Sequence, residues 1–280
     1  IIAETELILT SENKIYHLNL SKDEIADDII LVGDPDRVSV VSNKFDHIEH
    51  KIQNREFVTH TGILNGKRIS AIATGIGTDN IDIVVNELDA LVNIDFKTRT
   101  INKKKKTLNL IRLGTSGALQ RDIDVDSFLA SSFGLGFDSI AHFYESEEII
   151  EHDMSSKYKQ HAIWPENLSN PYIVKASSNL LSIFPDIKKG ITATSPGFYG
   201  PQGRTLRLNH SITNLHKKME SFCYKEKKIT NFEMETSALY YLGRSLGHNT
   251  LTICAVIANR LTKKYSKDYK KTVEKMIDLV

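Results

Sequence analysis

RISAIATGIG (Arg68–Gly77) is almost continuously apolar and rich in β-branched residues, with no strict in–out alternation. That pattern belongs to a strand buried on both faces. The run stops at two glycines. Immediately after them Ile81, Val84, Val85, Leu88 and Leu91 recur at helical spacing, with Asn80 placed as N-cap. A buried strand that turns through glycine into an amphipathic helix is the repeating unit of an α/β fold.

The same grammar recurs along the chain. DIILVGDP (28–35), LNLIRLGTSG (108–117), SFLASSFGLG (127–136), GITATSPG (190–197) and LTICAVIANR (251–260) are further apolar runs that end in turn residues. Helical stripes are expected at Ile173, Ala176, Leu180 and Phe184, between Pro171 and Pro185, and at Ile212, Leu215, Met219 and Phe222 after a Ser211 cap. Two more are expected at Ala238, Leu239, Leu242 and Leu246, closed by Gly247, and from Tyr269 to Val280. Interleaved in this way, the elements predict an α/β fold with a mixed or mostly parallel sheet. No Pro- or Ser-rich linker divides the chain, so residues 1–280 are expected to form one domain. NKKKKT (102–107) has no interleaved aromatics and reads as a solvated loop rather than a nucleic-acid patch.

Composition narrows the function. Lys plus Arg total 36 and Asp plus Glu 35, a net charge of +1. A near-neutral chain is a poor general binder of nucleic acid or of a membrane surface, and no apolar run approaches the length of a bilayer span. The N-terminus carries Glu4 and Glu6 and lacks the basic start of a signal peptide. Cys223 and Cys254 are too few for a disulfide framework or zinc site. A cytoplasmic location is therefore expected.

In open α/β sheets ligands bind beyond the carboxyl ends of strands. The first run delivers Gly33 and Arg37 there, the second Gly75 and Gly77, and the third Arg112 and Thr115. Glycines, guanidinium forks and a hydroxyl make a sensible anion cradle. Each piece alone is also an ordinary turn. GIG lacks the third glycine of a dinucleotide fingerprint, and no G-x-x-x-x-G-K-[ST] loop occurs. NFEMETSALY (231–240) sets Glu233 and Glu235 around Met234 at a helix start. Carboxylates there either serve the helix or accept hydrogen bonds from vicinal hydroxyls. FYGPQGR (198–204) places Gln202 and Arg204 on a turn made by glycine and proline. It reads equally as a solvated turn or as a reader of a uracil edge, with Phe198 against the ring. Ten scattered histidines give no metal motif, and no G-x-S-x-G elbow signals a serine hydrolase.

Taken in order, YHLNL, GDPDRV, NREF, ATGIG, IRLGTSGAL, FYGPQGR and NFEMET resemble the uridine phosphorylases of the nucleoside phosphorylase-I family, from about His17 to Arg260. The resemblance implies a single-domain α/β/α sandwich with a central mixed, partly barrel-like sheet flanked by helices. It implies phosphorolysis of uridine to uracil and ribose 1-phosphate. Phosphate would be held by Gly33, Arg37, Arg112 and Thr115, with Arg55 from a neighbouring subunit. Phe198, Gln202 and Arg204 would bind the base. Glu233, Met234 and Glu235 would bind ribose, with His17 of a neighbouring subunit. Arg204, Gln202, Glu235 and Arg112 would carry catalysis. The substrates would be a nucleoside and phosphate, with no cofactor and no resident metal. Glu56 and Ile76 match a monovalent-cation site of some members, while Asn80 replaces its serine, so that cation is left open. Shared sites imply a homodimer as the smallest unit, and the family includes hexamers. Ala258 stands where purine-type relatives carry an acid, which favours pyrimidines. Gly203 replaces the family's usual glutamate. A broader nucleoside phosphorylase and a non-catalytic nucleoside-binding homologue are the alternatives. The long NIDFKTRTINKKKK connection is expected to project into solvent, and Leu261–Lys270 to form a lid.

Overall fold

The computed structural model describes residues Ile1–Val280. Every apolar run identified above is a strand. In chain order the elements begin with β1 (Asp28–Val32), α1 (Pro35–Ser42), β2 (His47–Asn54), β3 (Phe57–Leu64), β4 (Lys67–Ala73) and α2 (Thr78–Asn93). A short hairpin, β5 (Ile94–Asp95) and β6 (Thr100–Ile101), precedes β7 (Asn109–Ala118), β8 (Phe128–Gly136), α3 (His152–Ala162), β9 (Tyr172–Lys175) and α4 (Ser178–Ser182). The rest comprises β10 (Lys188–Thr194), α5 (Leu215–Ser221), β11 (Cys223–Tyr224), β12 (Lys227–Glu233), α6 (Thr236–Ser245), β13 (Asn249–Asn259), β14 (Lys264–Tyr265) and α7 (Tyr269–Leu279).

The main sheet runs β11-β12-β10-β8-β13-β7-β1-β4-β3-β2. Most central pairs are parallel, as expected where helices cover the faces; β8–β13 is antiparallel, as are the edge strands β2 and β3. An extra antiparallel pairing joins β12 to β7, with Asn231 opposite Ala118 and Phe232 opposite Gly117. It closes β7, β13, β8, β10 and β12 into a ring, so part of the sheet is barrel-like while the β1–β4–β3–β2 wing stays open.

Helix α2 buries Ile81, Val84, Val85, Leu88 and Leu91, the predicted stripe, in the main core with Leu31, Ile72 and Leu110. Each such side chain taken out of water contributes about 1.5–3 kcal/mol. A second core under α3 and α5 is aromatic: Phe137 stacks on Trp164 at 4.9 Å, and Tyr158 meets Phe222 edge-on at 5.2 Å.

Several expectations are corrected. Residues 173–184 are not one helix. Ile173 and Val174 lie in β9, which pairs with β8, and only Ser178–Ser182 is helical. An apolar run this short fits either period, and the open edge of β8 selects the strand. The next helix begins at Leu215, after Asn214 in the left-handed region, and not at Ser211. Helix α2 starts at Thr78 directly after Gly77, whose φ of 99° ends the turn, so Asn80 lies inside the helix. The long connection is not wholly free: the Arg99 guanidinium donates to the carbonyls of Ile2, Ala3 and Leu7, tying the β5–β6 hairpin to the N-terminal segment. Lys103, Lys104 and Lys105 beyond it are exposed. No helix is long and apolar enough to cross a membrane.

Candidate active site

The strand ends meet at one cavity of about 750 Å³. Gly33 comes from the β1–α1 turn and Arg37 from the first turn of α1, Gly75 and Ile76 from the β4–α2 turn, and Arg112 and Thr115 from β7. Glu233, Met234 and Glu235 come from the β12–α6 junction, and Phe198, Gln202 and Arg204 from the loop after β10. All the sequence-predicted site residues converge here except two. His17 and Arg55 lie outside this lining. The His17 ring touches Glu87 at 2.7 Å, and the Arg55 guanidinium stands 5.7 Å from the Tyr16 ring centre. A larger, more apolar cavity of about 960 Å³ adjoins across Arg204 but contains none of the other predicted groups.

Arg112 organises the anion end. On a strand, residues 112 and 114 share a face, and Gly114 leaves room for the Arg112 side chain to lie along β7. A Cβ at 114 would come within 1.8 Å of Arg112 Nη1. The guanidinium bonds Glu235 through Nη2, and Nη1 lies 3.6 Å from Glu233. Arg112, Glu233 and Glu235 are each only 4% exposed. Burial opposes charge on Arg112, but Glu235 and Glu233 outweigh it and raise its pKa. Burial, opposed by Arg112 and reinforced by Glu233, raises that of Glu235. Arg112 Nε and Nη1 are buried without a hydrogen-bond acceptor. Such donors are costly unless met, and the guanidinium that carries them borders the cavity, where its positive charge favours an anion. Arg37, held by Leu113 O at 3.3 Å, adds a second guanidinium; burial and then Arg112 lower its pKa.

The two glutamates do different work. Neither is solvated. Glu233 accepts from the backbone N–H groups of Glu235 and Thr236 at 3.0 and 3.1 Å and from Thr194 Oγ1 at 2.8 Å. It satisfies the orphan donors at the start of α6, where a carboxylate is favoured. Glu235 accepts from Gly77 N–H at 2.8 Å as well as from Arg112, which ties the β4–α2 turn to α6. Both carboxylates are thus engaged within the protein, and all three residues of the trio border the cavity.

The 198–204 loop is preformed. A short 3₁₀ turn at Gly200–Gln202 ends on Gly203 at φ 65°, and Arg204 N–H returns to Tyr199 O at 2.8 Å. Arg204 Nη1 donates to Phe198 O at 2.6 Å and to Gln202 Oε1. Gln202 is buried, and its Nε2 is left to donate. Phe198 gives one ring face to Arg204, whose guanidinium carbon stands 3.7 Å from the ring centre. Burial and then Arg260 lower the Arg204 pKa.

Three contributors escaped sequence reading. Arg260, at the end of β13, stands 5.7 Å from the Phe232 ring centre, which Arg204 also faces at 5.6 Å. The strand-end rule applied to LTICAVIANR would have found it. Tyr265 borders the cavity from β14, whose hairpin is pinned to β13 by Ser266 N–H to Ile257 O at 2.8 Å. The segment expected as a lid is thus a hairpin folded against the sheet. Gly114 was legible only as a strand-end glycine open to a ligand's approach; that it makes room for the Arg112 side chain had no signal.

The fold is thus an α/β domain whose mixed sheet is partly closed into a barrel, with this cavity at its strand ends. The chain belongs to the phosphorylase superfamily, whose family model matches residues 27–279. It is 28% identical over 261 residues to the uridine phosphorylase of Thermococcus kodakarensis, covering 92% of this chain and 82% of that one. It is 29% identical over 248 residues to a DeoD-type purine nucleoside phosphorylase of Brevibacillus brevis, covering 88% and 87%. Among solved structures it is similar to a Trypanosoma brucei nucleoside phosphorylase described as showing uridine phosphorylase activity. There the TM-score is 0.85 and the identity 26%, covering 97% of this chain and 98% of that one.

Proposed function

We propose that the protein is a uridine phosphorylase, converting uridine and phosphate to uracil and ribose 1-phosphate. The observation that carries the base assignment is the Gln202–Arg204 pair, preformed at one end of the cavity, with Ala258 and no acid bordering it from β13. Relatives named uridine phosphorylase support the reading, but a purine-named relative is equally similar, so the side chains at the base end have to choose.

Phosphate binds Arg37, Arg112, Thr115 and the Gly33 backbone. Its oxygen attacks C1′ as the C1′–N1 bond breaks and the bonding pair leaves with the base. Positive charge builds on the sugar beside the phosphate, and negative charge on the uracil carbonyls beside Arg204 and Gln202. Preorganised donors at the site of developing charge are worth several kcal/mol. Glu235 and Met234 orient the ribose, while Glu233 holds the helix start that carries them. Phosphate is already a nucleophile at neutral pH, so no protein base or cofactor enters the step. His17 and Arg55 serve the site of a neighbouring copy, which makes a homodimer the working unit and allows a hexamer. Both cysteines are free, in keeping with pyrimidine salvage in a reducing cytoplasm.

The test is uracil release from uridine with and without phosphate, with inosine as the control substrate. Phosphate-dependent release from uridine, with inosine much slower, is expected. Release without phosphate would make the protein a nucleosidase. Equal use of inosine would make it a broad nucleoside phosphorylase, as the Brevibacillus relative invites.

A further inference from the structure

Gly203 stands between the two base-end side chains in the left-handed region. A Cβ there would lie 2.1 Å from Cε1 and 2.4 Å from Nδ1 of His216, so the imidazole fills the space that a side chain at 203 would need. Nε2 of the same ring meets Arg260 Nη2 within hydrogen-bond reach, and Arg260 Nη2 also reaches Gly203 O at 3.4 Å. Arg260 and Arg204 stand beside one ring, Phe232. Neither has a carboxylate partner: their acceptors are backbone carbonyls, Gln202 Oε1 and His216.

An arginine only donates. The contact therefore requires His216 Nε2 to carry a lone pair, which assigns the proton of a neutral ring to Nδ1. A doubly protonated ring would set N–H against N–H and add a third positive charge to two that already repel. We infer that neutral His216 is a positioning residue for the base site: it accepts from Arg260 and holds that guanidinium beside Arg204, and protonation of the ring releases it. The inference rests on the uridine phosphorylase reading of the 198–204 loop. It gives Gly203 a physical reason, since the imidazole and a side chain at 203 exclude one another.

The charged or titratable groups facing the ring are Arg260, just past β13, and Arg204 and His210 from the loop before α5; α5 itself also carries Lys217, Lys218 and Glu220. Burial, then Arg260, Arg204 and His210, hold the His216 pKa below that of a free imidazole. At neutral pH the ring is thus in its accepting form.

The experiment is calorimetric binding of uracil in phosphate-free buffer between about pH 5 and pH 8. Neither the ligand nor a co-substrate then titrates. Wild-type affinity should fall about tenfold or more toward the acid end. His216→Ala should be weaker by about tenfold even at neutral pH, because a charged donor has lost its acceptor. His216→Gln keeps an acceptor that does not titrate and should show no acid fall, whereas His210→Asn should keep it. Melting temperatures measured on the same samples identify any variant that has unfolded. Uridine phosphorolysis by the wild type is measured in parallel, and its absence would overturn the functional reading itself. If turnover is present, a wild-type affinity flat with pH, an acid fall retained by His216→Gln, or an undiminished His216→Ala would each overturn the role of His216.

Discussion

Replacing Gly114 by alanine adds one methyl group to β7 at the point where Arg112 crosses it. The new Cβ would stand 1.8 Å from Nη1 and 2.9 Å from Cζ, so the guanidinium must retreat by about 1.5 Å or more to restore ordinary contact. Drawing the charge back from its close contact with Glu235 by that much costs about 2 kcal/mol at the effective dielectric that describes protein ion pairs. Forcing the extra methyl into a packed strand adds about 1–3 kcal/mol. The sum is a large part of a typical domain's stability of about 5–15 kcal/mol, and corresponds to a fall in Tm on the order of 10 °C. The same displacement misaligns the donors facing the anion. A loss of about 2 kcal/mol there lowers kcat/KM for phosphate about 30-fold. Calorimetric melting and phosphate saturation at fixed uridine measure the two effects. Gly33→Ala is the control for the fold, because its Cβ would meet only Gly75 O at 3.5 Å. If Gly114→Ala keeps the wild-type Tm and phosphate KM, the guanidinium does not depend on the bare face of β7, and the account of the anion cradle is wrong.

Three further outcomes are expected. Arg204→Ala removes the donor held by Phe198 O and Gln202 Oε1; steady-state kinetics should show the uridine KM rising at least tenfold while the phosphate KM moves little, and a proportional rise in both would contradict the division of the cavity. His60, buried in β3 with Ser42 Oγ 2.7 Å away, has its pKa lowered by burial and then by Lys51. The unfolded chain takes up that proton near pH 6.5, so stability should decline as pH falls through that value and level off below the folded pKa. Denaturant midpoints at pH 7.5 and 5.5 should differ less in His60→Asn. Finally, burial and Glu233 push the Cys254 thiol up to about 12 while Cys223 is exposed, so an alkylating reagent at pH 8 should label Cys223 in the native protein and reach Cys254 only after unfolding. Equal labelling rates in the native state would contradict the packing of β13.

The strands that build the site were legible because each is a short β-branched run stopped by glycine or another turn residue, and α2, α6 and α7 because their apolar stripes are long enough to exclude a strand period. Residues 173–184 were not, since two apolar residues beside an open sheet edge obey the edge rather than a local preference. The β2–β3 hairpin also passed unread: β2 alternates exposed and half-buried residues and is mostly polar, with only Ile48 and Ile52 apolar. Within the site, the residue types at strand ends were readable, but their division of labour was not. That Glu235 serves Arg112 depends on a contact between residues far apart in the chain, on β7 and at the start of α6, while Glu233 serves the helix through bonds to Glu235 and Thr236 beside it. The link from Gly203 on one loop to His216 and Arg260, in which the Arg260 contacts span 57 and 44 residues, is likewise set by the fold and not by local sequence.

The β7–β12 closure has a consequence for how such a protein can change. Arg112 and Thr115 lie on one of these strands and Glu233 on the other, and the ladder between them fixes their separation by backbone geometry. Phe198, Gln202 and Arg204, the proposed base readers, hang from a loop outside that ladder. On the proposed function, substitutions in the loop should alter which base is accepted without shifting the spacing of Arg112, Thr115 and Glu233. Inherited in this way, the reaction and the choice of base are separable traits. A uridine-named and a purine-named relative at nearly equal distance from this chain are what such separability would leave behind.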